Sequence, residues 1–140
     1  MRVLLAVDDS RYSEAATRAA MAQCSPQKTG FLVMNVVDLK LPIPTFYAED
    51  FRQESLRYGK EIVARTEEEL SKAGFKAQTV VEEGDPTQKI VDRAADWKAD
   101  LIMMGSHGRK GIDHFLMGSV SEGVTRYAPC SVEVVRISKN

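Results

Sequence analysis

Runs of consecutive apolar residues constrain the fold of this chain more than any other feature of its sequence. Three such runs cover residues 3–7, 31–37 and 101–104, and they lack the regular polar alternation of a strand with one wet face. Strands of this kind are typical of a parallel sheet that is covered on both faces. Two further strands are predicted over residues 75–82 and 131–136. Apolar and polar residues alternate in the first of these two, which favours an edge of the sheet.

Helical periodicity separates the predicted strands. A first helix begins near Ser10, and a long polar helix covers about residues 46–73 before Gly74 ends it. A third helix begins at Pro86, and a fourth covers about residues 119–127. Five strands alternating with four helices predict an α/β fold, a doubly wound parallel sheet with helices on both faces.

Cap residues precede two of these helices. Asp85, Pro86 and Gln88 have the order of an N-cap, a proline in the first helical position and a capping-box glutamine. Asp9 is expected to cap the first helix, because its carboxylate comes just before the helical pattern.

A glycine-rich segment follows the fourth predicted strand. Its spacing is Gly105, two residues, Gly108, nine residues, and then Gly118 with Ser119. Glycines tolerate positive φ, which predicts a loop whose successive N–H groups converge on an anion. Ser119 and Glu122 have the spacing of a capping box, and a helix start adds free amides and the positive end of its dipole. The segment therefore predicts a phosphate site.

Two common phosphate-binding motifs do not fit this segment. It lacks the Gly-Lys-Ser/Thr ending of the Walker loop and the glycine spacing of the dinucleotide fingerprint. The spacing instead resembles the nucleotide-binding signature of the universal stress protein family. Residues 106–109, residues 118–122 and Ala128-Pro129-Cys130 also resemble that family, and the resemblance extends from Met1 to the last strand.

The resemblance implies a fold and an assembly. The strand order would be three-two-one-four-five, in a Rossmann-like sheet. Homodimers would form through the last strand, from Val132 to Val135, where Glu133 stands at a position that is often aliphatic in relatives. An apolar edge strand favours such pairing.

The resemblance also implies a binding site, residue by residue. Ala6 and Asp8 would border the nucleotide after the first strand, and the backbone of Val36 would meet the adenine. Amides and hydroxyls suit phosphates, and an apolar slot suits adenine. Arg109, beside Lys110, is either a phosphate counterion or part of a solvated loop. The residues that would surround ribose and phosphates are Met104, Gly105, Gly108, Gly118, Ser119, Val120 and Ser121.

Asp8 is the unusual member of this set, because a carboxylate repels phosphates. It is compatible with a nucleotide if it binds ribose hydroxyls, or if Mg²⁺ lies between it and a triphosphate. The alternative is that Asp8 only caps the first helix. Asp9 adds a second negative charge where many relatives have a small residue, which could weaken nucleotide binding. His107 either contacts the ligand or braces the loop.

The sequence favours a binding protein over an enzyme, since no nucleophile in it is paired with a base. The expected function is a regulatory module of the stress response that binds ATP or AMP and changes its protein contacts with the nucleotide. A nucleotide-free dimeric scaffold and a slow ATP hydrolase are the alternatives. A phospho-acceptor receiver domain would also begin with Asp8-Asp9, but the later acceptor aspartate and lysine of receivers are missing.

Charge and the cysteine and histidine content disfavour three further kinds of function or site: nucleic-acid binding, a disulfide and a zinc site. A formal net charge of −1, with no basic cluster longer than Arg109-Lys110, disfavours a nucleic-acid binder. Cys24 and Cys130 have no Cys-x-x-Cys partner and are expected to be reduced, partly buried thiols. The two histidines are seven residues apart without a third ligand at metal spacing, so a zinc site is not expected.

Chain length and hydropathy lead to two further expectations. The 140 residues contain no internal repeat or linker, so one domain is expected over residues 1–140. The apolar run after Met1 and Arg2 is too short for a signal peptide, and no apolar stretch is long enough to span a membrane. A cytoplasmic location is the resulting expectation.

Overall fold

Parallel strands alternate with helices in the computed structural model, which describes residues 1–39, 45–108 and 117–137. The sheet has the order β3-β2-β1-β4-β5, and every pairing is parallel. The expected doubly wound α/β fold and its strand order are therefore confirmed. The strands are β1 (Arg2–Ala6), β2 (Gly30–Val37), β3 (Lys76–Glu83), β4 (Leu101–Gly105) and β5 (Ser131–Val135), and the helices are α1 (Arg11–Gln23), α2 (Thr45–Lys72), α3 (Pro86–Trp97) and α4 (Ser119–Tyr127).

Both faces of β1 are buried from Val3 to Ala6, which explains why these four residues are all apolar. Val3 and Leu5 belong to a core cluster that includes residues of α1 and α2. Leu4 belongs to a second cluster on the opposite face, with Ile90 of α3 and Val124 of α4. The central strand therefore positions its carboxyl end between two helical layers.

The strand with the alternating sequence lies at an edge of the sheet, as predicted. β3 pairs only with β2 in the described sheet, and Gln78 and Thr79 are exposed on it. β5 forms the opposite edge and pairs with β4. Its residues Val132 and Val134 are half-buried.

The cap of α1 differs from the prediction. Ser10, and not Asp9, is the N-cap, because its hydroxyl oxygen accepts a hydrogen bond from the N–H of Ser13 at 3.3 Å. The carboxylate of Asp9 accepts instead from the hydroxyl of Tyr58 on α2, at 2.7 Å. The assignment of Asp9 as the helix cap is thus wrong, since a tertiary contact occupies its side chain.

The cap of α3 is confirmed in its main part. Asp85 accepts from the N–H of Gln88 at 3.0 Å, and Pro86 occupies the first turn. The side-chain amide of Gln88 donates to Asp92 at 2.9 Å, one turn further along the helix.

The capping box predicted for α4 is wrong. Gly118 is the N-cap, with no side-chain cap hydrogen bond, and Ser119 is already the first helical residue. The N–H of Gly118 donates to the carbonyl of Ser106 at 2.6 Å, which fixes the chain one residue before the predicted cap. Oε1 of Glu122, the predicted capping-box residue, lies 3.6 Å from a guanidinium nitrogen of Arg126 in an exposed ion pair.

The long helix α2 packs against β2 and β3 and supplies part of the core. Ile62 and Leu70 are buried in the core, whereas Phe51 is 38% exposed. Gly59 allows the helix to approach β2 closely, since a Cβ there would lie 2.7 Å from the side-chain oxygen of Asn35. Gly74 follows the helix at φ +91°, which fits its predicted role in ending α2.

None of the helices within the described ranges is long and apolar enough to cross a membrane.

Cys24 and Cys130 are free and half-buried, as predicted. Burial is the main cause that raises the pKa of both thiols.

Candidate functional site

A cavity of about 890 Å³ lies at the carboxyl edge of the sheet. It lies where the winding reverses between β1 and β4, the place at which open α/β sheets bind their ligands. Arg109 lies outside the described residues. The other ten residues predicted for the site all line this one cavity: Ala6, Asp8, Val36, Met104, Gly105, Gly108, Gly118, Ser119, Val120 and Ser121.

The β1–α1 corner, residues 7–13, holds Asp8 by several hydrogen bonds. The N–H of Asp8 donates to Oγ of Ser13 at 2.8 Å, and this hydroxyl donates to Oδ1 of Asp8 at 2.9 Å. The N–H of Ser10 donates to the same Oδ1 at 2.9 Å. The carboxylate is therefore fixed in orientation beside the start of α1.

The β4–α4 corner, residues 105–108 and 117–121, is held by backbone groups. The hydroxyl of Ser121 donates to the carbonyls of Ser106, at 2.8 Å, and Gly118, at 3.1 Å. The first amides of a helix have no partner within that helix, and Gly118 has no side chain that could cap them. Ser119 and Val120 line the cavity, so these amides lie beside it.

The glycines of this corner are required for space, and the positive φ predicted for them is not found. Among the described glycines, only Gly74 and Gly84 have positive φ. A Cβ on Gly105 would lie 2.6 Å from Cβ of Tyr12 and 2.8 Å from its backbone. A Cβ on Gly118 would lie 3.3 Å from the carbonyl oxygen of Ser106. Gly105 thus leaves no space for a side chain, whereas a Cβ at Gly118 would require its neighbours to shift by a few tenths of an ångström.

His107 braces the β4–α4 corner. It is 8% exposed, its Nδ1 lies 3.0 Å from Oγ of Ser106, and its ring centroid lies 5.0 Å from that of Tyr12. Its Nε2 is buried and has no hydrogen-bond partner in the part of the chain that the structure describes. Of the two roles predicted for this histidine, the geometry supports bracing.

An apolar slot lies between β2 and α3. The apolar residues that line the cavity here are Met34 and Val36 of β2, Pro86 and Ile90 of α3, and Met104 of β4. Apolar walls beside strand backbone suit an aromatic base.

Sequence reasoning missed the α2 side of the cavity. Phe51 and Tyr58 line it there, and the hydrogen bond to Asp9 is the main cause that raises the pKa of Tyr58. These residues gave no motif, because helix α2 reaches the cavity only through tertiary packing.

Two polar residues of the cavity, Ser13 and Asn35, were also missed, although the sequence pattern around each of them could have identified it. The spacing of Ser13 from Asp8 and Ser10 matches a helix-start network, and Asn35 is polar within an apolar strand. Asn35 is buried and donates to the carbonyl of Val7 at 2.8 Å, which anchors the end of β1.

The acidic residues of the cavity do not form a metal centre of their own. Within residues 1–39, 45–108 and 117–137, no group of three or more His, Cys, Asp or Glu side chains could hold a metal ion. Mg²⁺ bound to a nucleotide commonly takes one or two carboxylates together with the phosphates.

Comparison with known proteins agrees with this architecture. The family model described as the universal stress protein family matches residues 1–136. A putative universal stress protein of Staphylococcus aureus is 34% identical over 137 residues, which cover 96% of this chain and 82% of the relative. The solved structure of hypothetical protein MJ0577 gives a TM-score of 0.92 at 26% identity, covering 99% of this chain and 97% of that one. A universal stress protein family protein from Arabidopsis thaliana, solved with AMP bound, gives a TM-score of 0.75 at 15% identity, covering 99% and 93%.

Proposed function

Since the chain belongs to the universal stress protein family, we propose that its cavity binds an adenine nucleotide, ATP or AMP. We further propose that the chain is a single-domain, homodimeric and cytoplasmic module that regulates stress responses through nucleotide-dependent protein contacts. One observation carries the proposal: ten residues predicted for the site, from separate segments of the chain, meet at one cavity beside an uncapped helix start.

The β4–α4 corner provides for the phosphates. The amides at the start of α4 and the positive end of its dipole attract an anion. The exposed Ser119 adds a hydroxyl next to these amides. Because no side chain of the described residues caps this helix, a phosphate oxygen can take the place that a cap oxygen occupies elsewhere.

The slot between β2 and α3 provides for the base. In this proposal the backbone of Val36 reads the edge of the adenine, and Ile90 and Met104 contact its faces. A cavity of about 890 Å³ falls within the range of pockets for ligands of this size. The AMP complex of the Arabidopsis thaliana protein, which has the same fold, supports an adenine nucleotide as the ligand.

Isothermal titration with AMP, ADP, ATP and GTP tests the proposal. We expect one adenine nucleotide to bind per chain, more tightly than GTP, because the base slot is apolar and has backbone groups at its end. Mass spectrometry of the purified protein should also detect a co-purified adenine nucleotide. Absence of binding for all four nucleotides would leave the dimeric scaffold as the function.

The role of Mg²⁺ follows from Asp8. If the metal ion of a triphosphate lies against this carboxylate, ATP binds more tightly with Mg²⁺ and AMP does not, because the metal offsets the repulsion between like charges. Titrations of wild type and Asp8→Ala with and without Mg²⁺ measure this difference. Identical affinities under all four conditions would contradict a role of Asp8 in Mg²⁺ binding.

The proposed dimer uses the outer edge of β5. This strand ends the sheet, and Val132 and Val134 are half-buried there. Unpaired strand edges favour association with a second strand. Sedimentation velocity at micromolar concentration should give the mass of a dimer, and a Val134→Lys variant should sediment as a monomer. A monomeric wild type would contradict the proposed assembly.

A further inference from the structure

We propose that β5 pairs with β5 of a second copy so that the two Glu133 side chains face each other, and that this pair makes the dimer stronger at acidic pH. The inference rests on the proposed dimer and adds its register and its regulation. A charged residue at the two-fold axis of a dimer meets its own copy, so its charge state bears directly on assembly.

The outer edge of β5 fixes which residues can pair with a second strand. The carbonyl of Val135 accepts from the N–H of Ser106 at 2.8 Å and therefore points towards β4. Peptide groups alternate in direction along a strand, so those of Glu133 point the same way and those of Val132 and Val134 point outwards. The two valines thus supply the backbone donors and acceptors for a partner strand.

Symmetry places Glu133 at the centre of this pairing. β5 has five residues, Ser131–Val135, and Glu133 is the middle one. A two-fold axis through the sheet makes the pair antiparallel, and full overlap then joins Val132 to Val134 of the second copy by hydrogen bonds. The two Glu133 residues form the non-hydrogen-bonded pair between these bonds, with Cα atoms about 4.5 Å apart.

The side chain of Glu133 lies on the face of the sheet that packs against α1. Its register partner on β4 is Met103, which belongs to the core cluster that includes residues of α1 and α2. Val132 packs against the other cluster, on the opposite face. Burial is the main cause that raises the pKa of the Cys24 thiol at the end of α1, and the charge of Glu133 adds to this effect.

No ion pair among the described residues compensates the charge of Glu133. None of these residues makes a hydrogen bond or a salt bridge with its carboxylate. The titratable group that faces it from α1 is the Cys24 thiol, Met103 on β4 is uncharged, and the exposed Arg136 follows the strand. Glu133 is half-buried, so water screens only part of the repulsion from a second carboxylate opposite it.

Two facing carboxylates make the dimer bind protons more readily than the separate chains do. Like charges directly opposite each other destabilise a strand pair. A proton from solvent removes one charge and lets that carboxyl group donate a hydrogen bond to the carboxylate opposite. An assembly that binds more protons than its parts is favoured as the pH falls. The dimer therefore gains strength below neutral pH, and this gain is lost when the pH rises and both groups ionise.

Sedimentation velocity over a concentration series, at about pH 7.5 and about pH 5 and at constant ionic strength, tests the pH dependence. The dimer dissociation constant of wild type should be about 5- to 10-fold lower at the acidic pH. Glu133→Gln removes the charge and keeps the shape of the side chain. At the higher pH its dissociation constant should be about 10-fold below that of wild type, and it should change less than about twofold with pH.

Glu61→Gln is the matched control for this measurement. Glu61 is exposed on α2, which packs against β2 and β3 at the other end of the sheet from β5. The variant loses the same charge without changing the proposed interface. It should therefore keep both the dissociation constant and the pH dependence of wild type.

Disulfide formation tests the register directly. Cys24 and Cys130 are first replaced by serine, so that each chain carries one thiol. Glu133→Cys should then form a disulfide between two chains when diamide oxidises the thiols, because Cα atoms about 4.5 Å apart are within reach of this bond. Ser131→Cys is the matched control, since Ser131 would face Val135 and lie about 13 Å from its own copy along the strands. Non-reducing electrophoresis separates the linked dimer from the monomer.

The outcomes are distinct. If wild type has the same dissociation constant at both pH values, or if Glu133→Gln keeps the pH dependence of wild type, the inference is wrong. A disulfide in Ser131→Cys and none in Glu133→Cys would show a different register and would also overturn it. If wild type and Glu133→Gln are both monomeric at both pH values, the proposed dimer fails together with the inference.

Discussion

The β1–α1 corner and the β4–α4 corner begin their helices differently. Ser10 caps α1 with its side chain, and Asp8 and Ser13 satisfy one another beside it. Gly118 precedes α4 without any side-chain cap. One corner therefore satisfies its own polar groups, whereas the other leaves helix amides beside the cavity. An uncapped helix start within an otherwise well-bonded site is therefore a candidate place for an anion.

The two corners meet at Gly105, where substitution should have the largest effect. In Gly105→Ala the new Cβ would lie 2.6 Å from Cβ of Tyr12 and 2.8 Å from its backbone. Overpacking of this kind should lower the free energy of unfolding by about 3 kcal/mol. Chemical denaturation of wild type and variant measures this loss of free energy of unfolding.

Gly30→Ala is the matched control, because a Cβ at Gly30 has no atom within 4 Å. Its effect should stay within about 0.5 kcal/mol, as at open positions generally. Equal stabilities of the two variants would show that the corners are not closely packed at Tyr12.

A carboxylate at Gly118 tests the open helix start directly. Gly118→Asp would place a cap oxygen over the amides of α4 and a negative charge where the phosphate is proposed to bind. AMP affinity should fall about 30-fold, or about 2 kcal/mol. Gly118→Ala adds a Cβ without a charge and should lose less affinity in the same titration. Equal losses would assign the effect to space and not to the helix amides.

Removing the cap of the other corner should affect folding and not binding. Ser10→Ala loses the side-chain bond to the N–H of Ser13. The free energy of unfolding should fall by about 1 kcal/mol. AMP affinity should stay within about twofold of wild type, since the N–H of Ser10 can still donate to Asp8. A large loss of affinity would mean that the β1–α1 corner also binds the phosphates.

The smallest expected effect is a change in the titration of Tyr58. The Asp9 carboxylate, which accepts from the Tyr58 hydroxyl, is the main cause that raises its pKa. In Asp9→Ala the pKa should fall, because the protonated phenol loses its charged acceptor. Ultraviolet absorbance of the phenolate measures this, with Tyr58→Phe identifying the signal. An unchanged titration would contradict the contact between α2 and the β1–α1 corner.

Much of this molecule follows from local sequence patterns. Burial of both faces of β1 made residues 3–6 apolar, and the position of β3 at the edge of the sheet left several of its residues exposed, which allowed polar residues along it. These patterns predicted the parallel sheet, because a strand's periodicity reports which of its faces meets water. The glycine spacing predicted a phosphate site, and the resemblance to the universal stress protein family implied the other residues of the cavity.

Only the tertiary structure decided what individual side chains do in this site. Asp9 has the local features of a cap, yet Tyr58, 49 residues away in sequence, takes its carboxylate. Gly105 has no unusual φ, and the approach of Tyr12 is what excludes a side chain there. Sequence patterns carry local preferences, whereas the partner of a polar group and the space around a backbone depend on segments that only folding brings together.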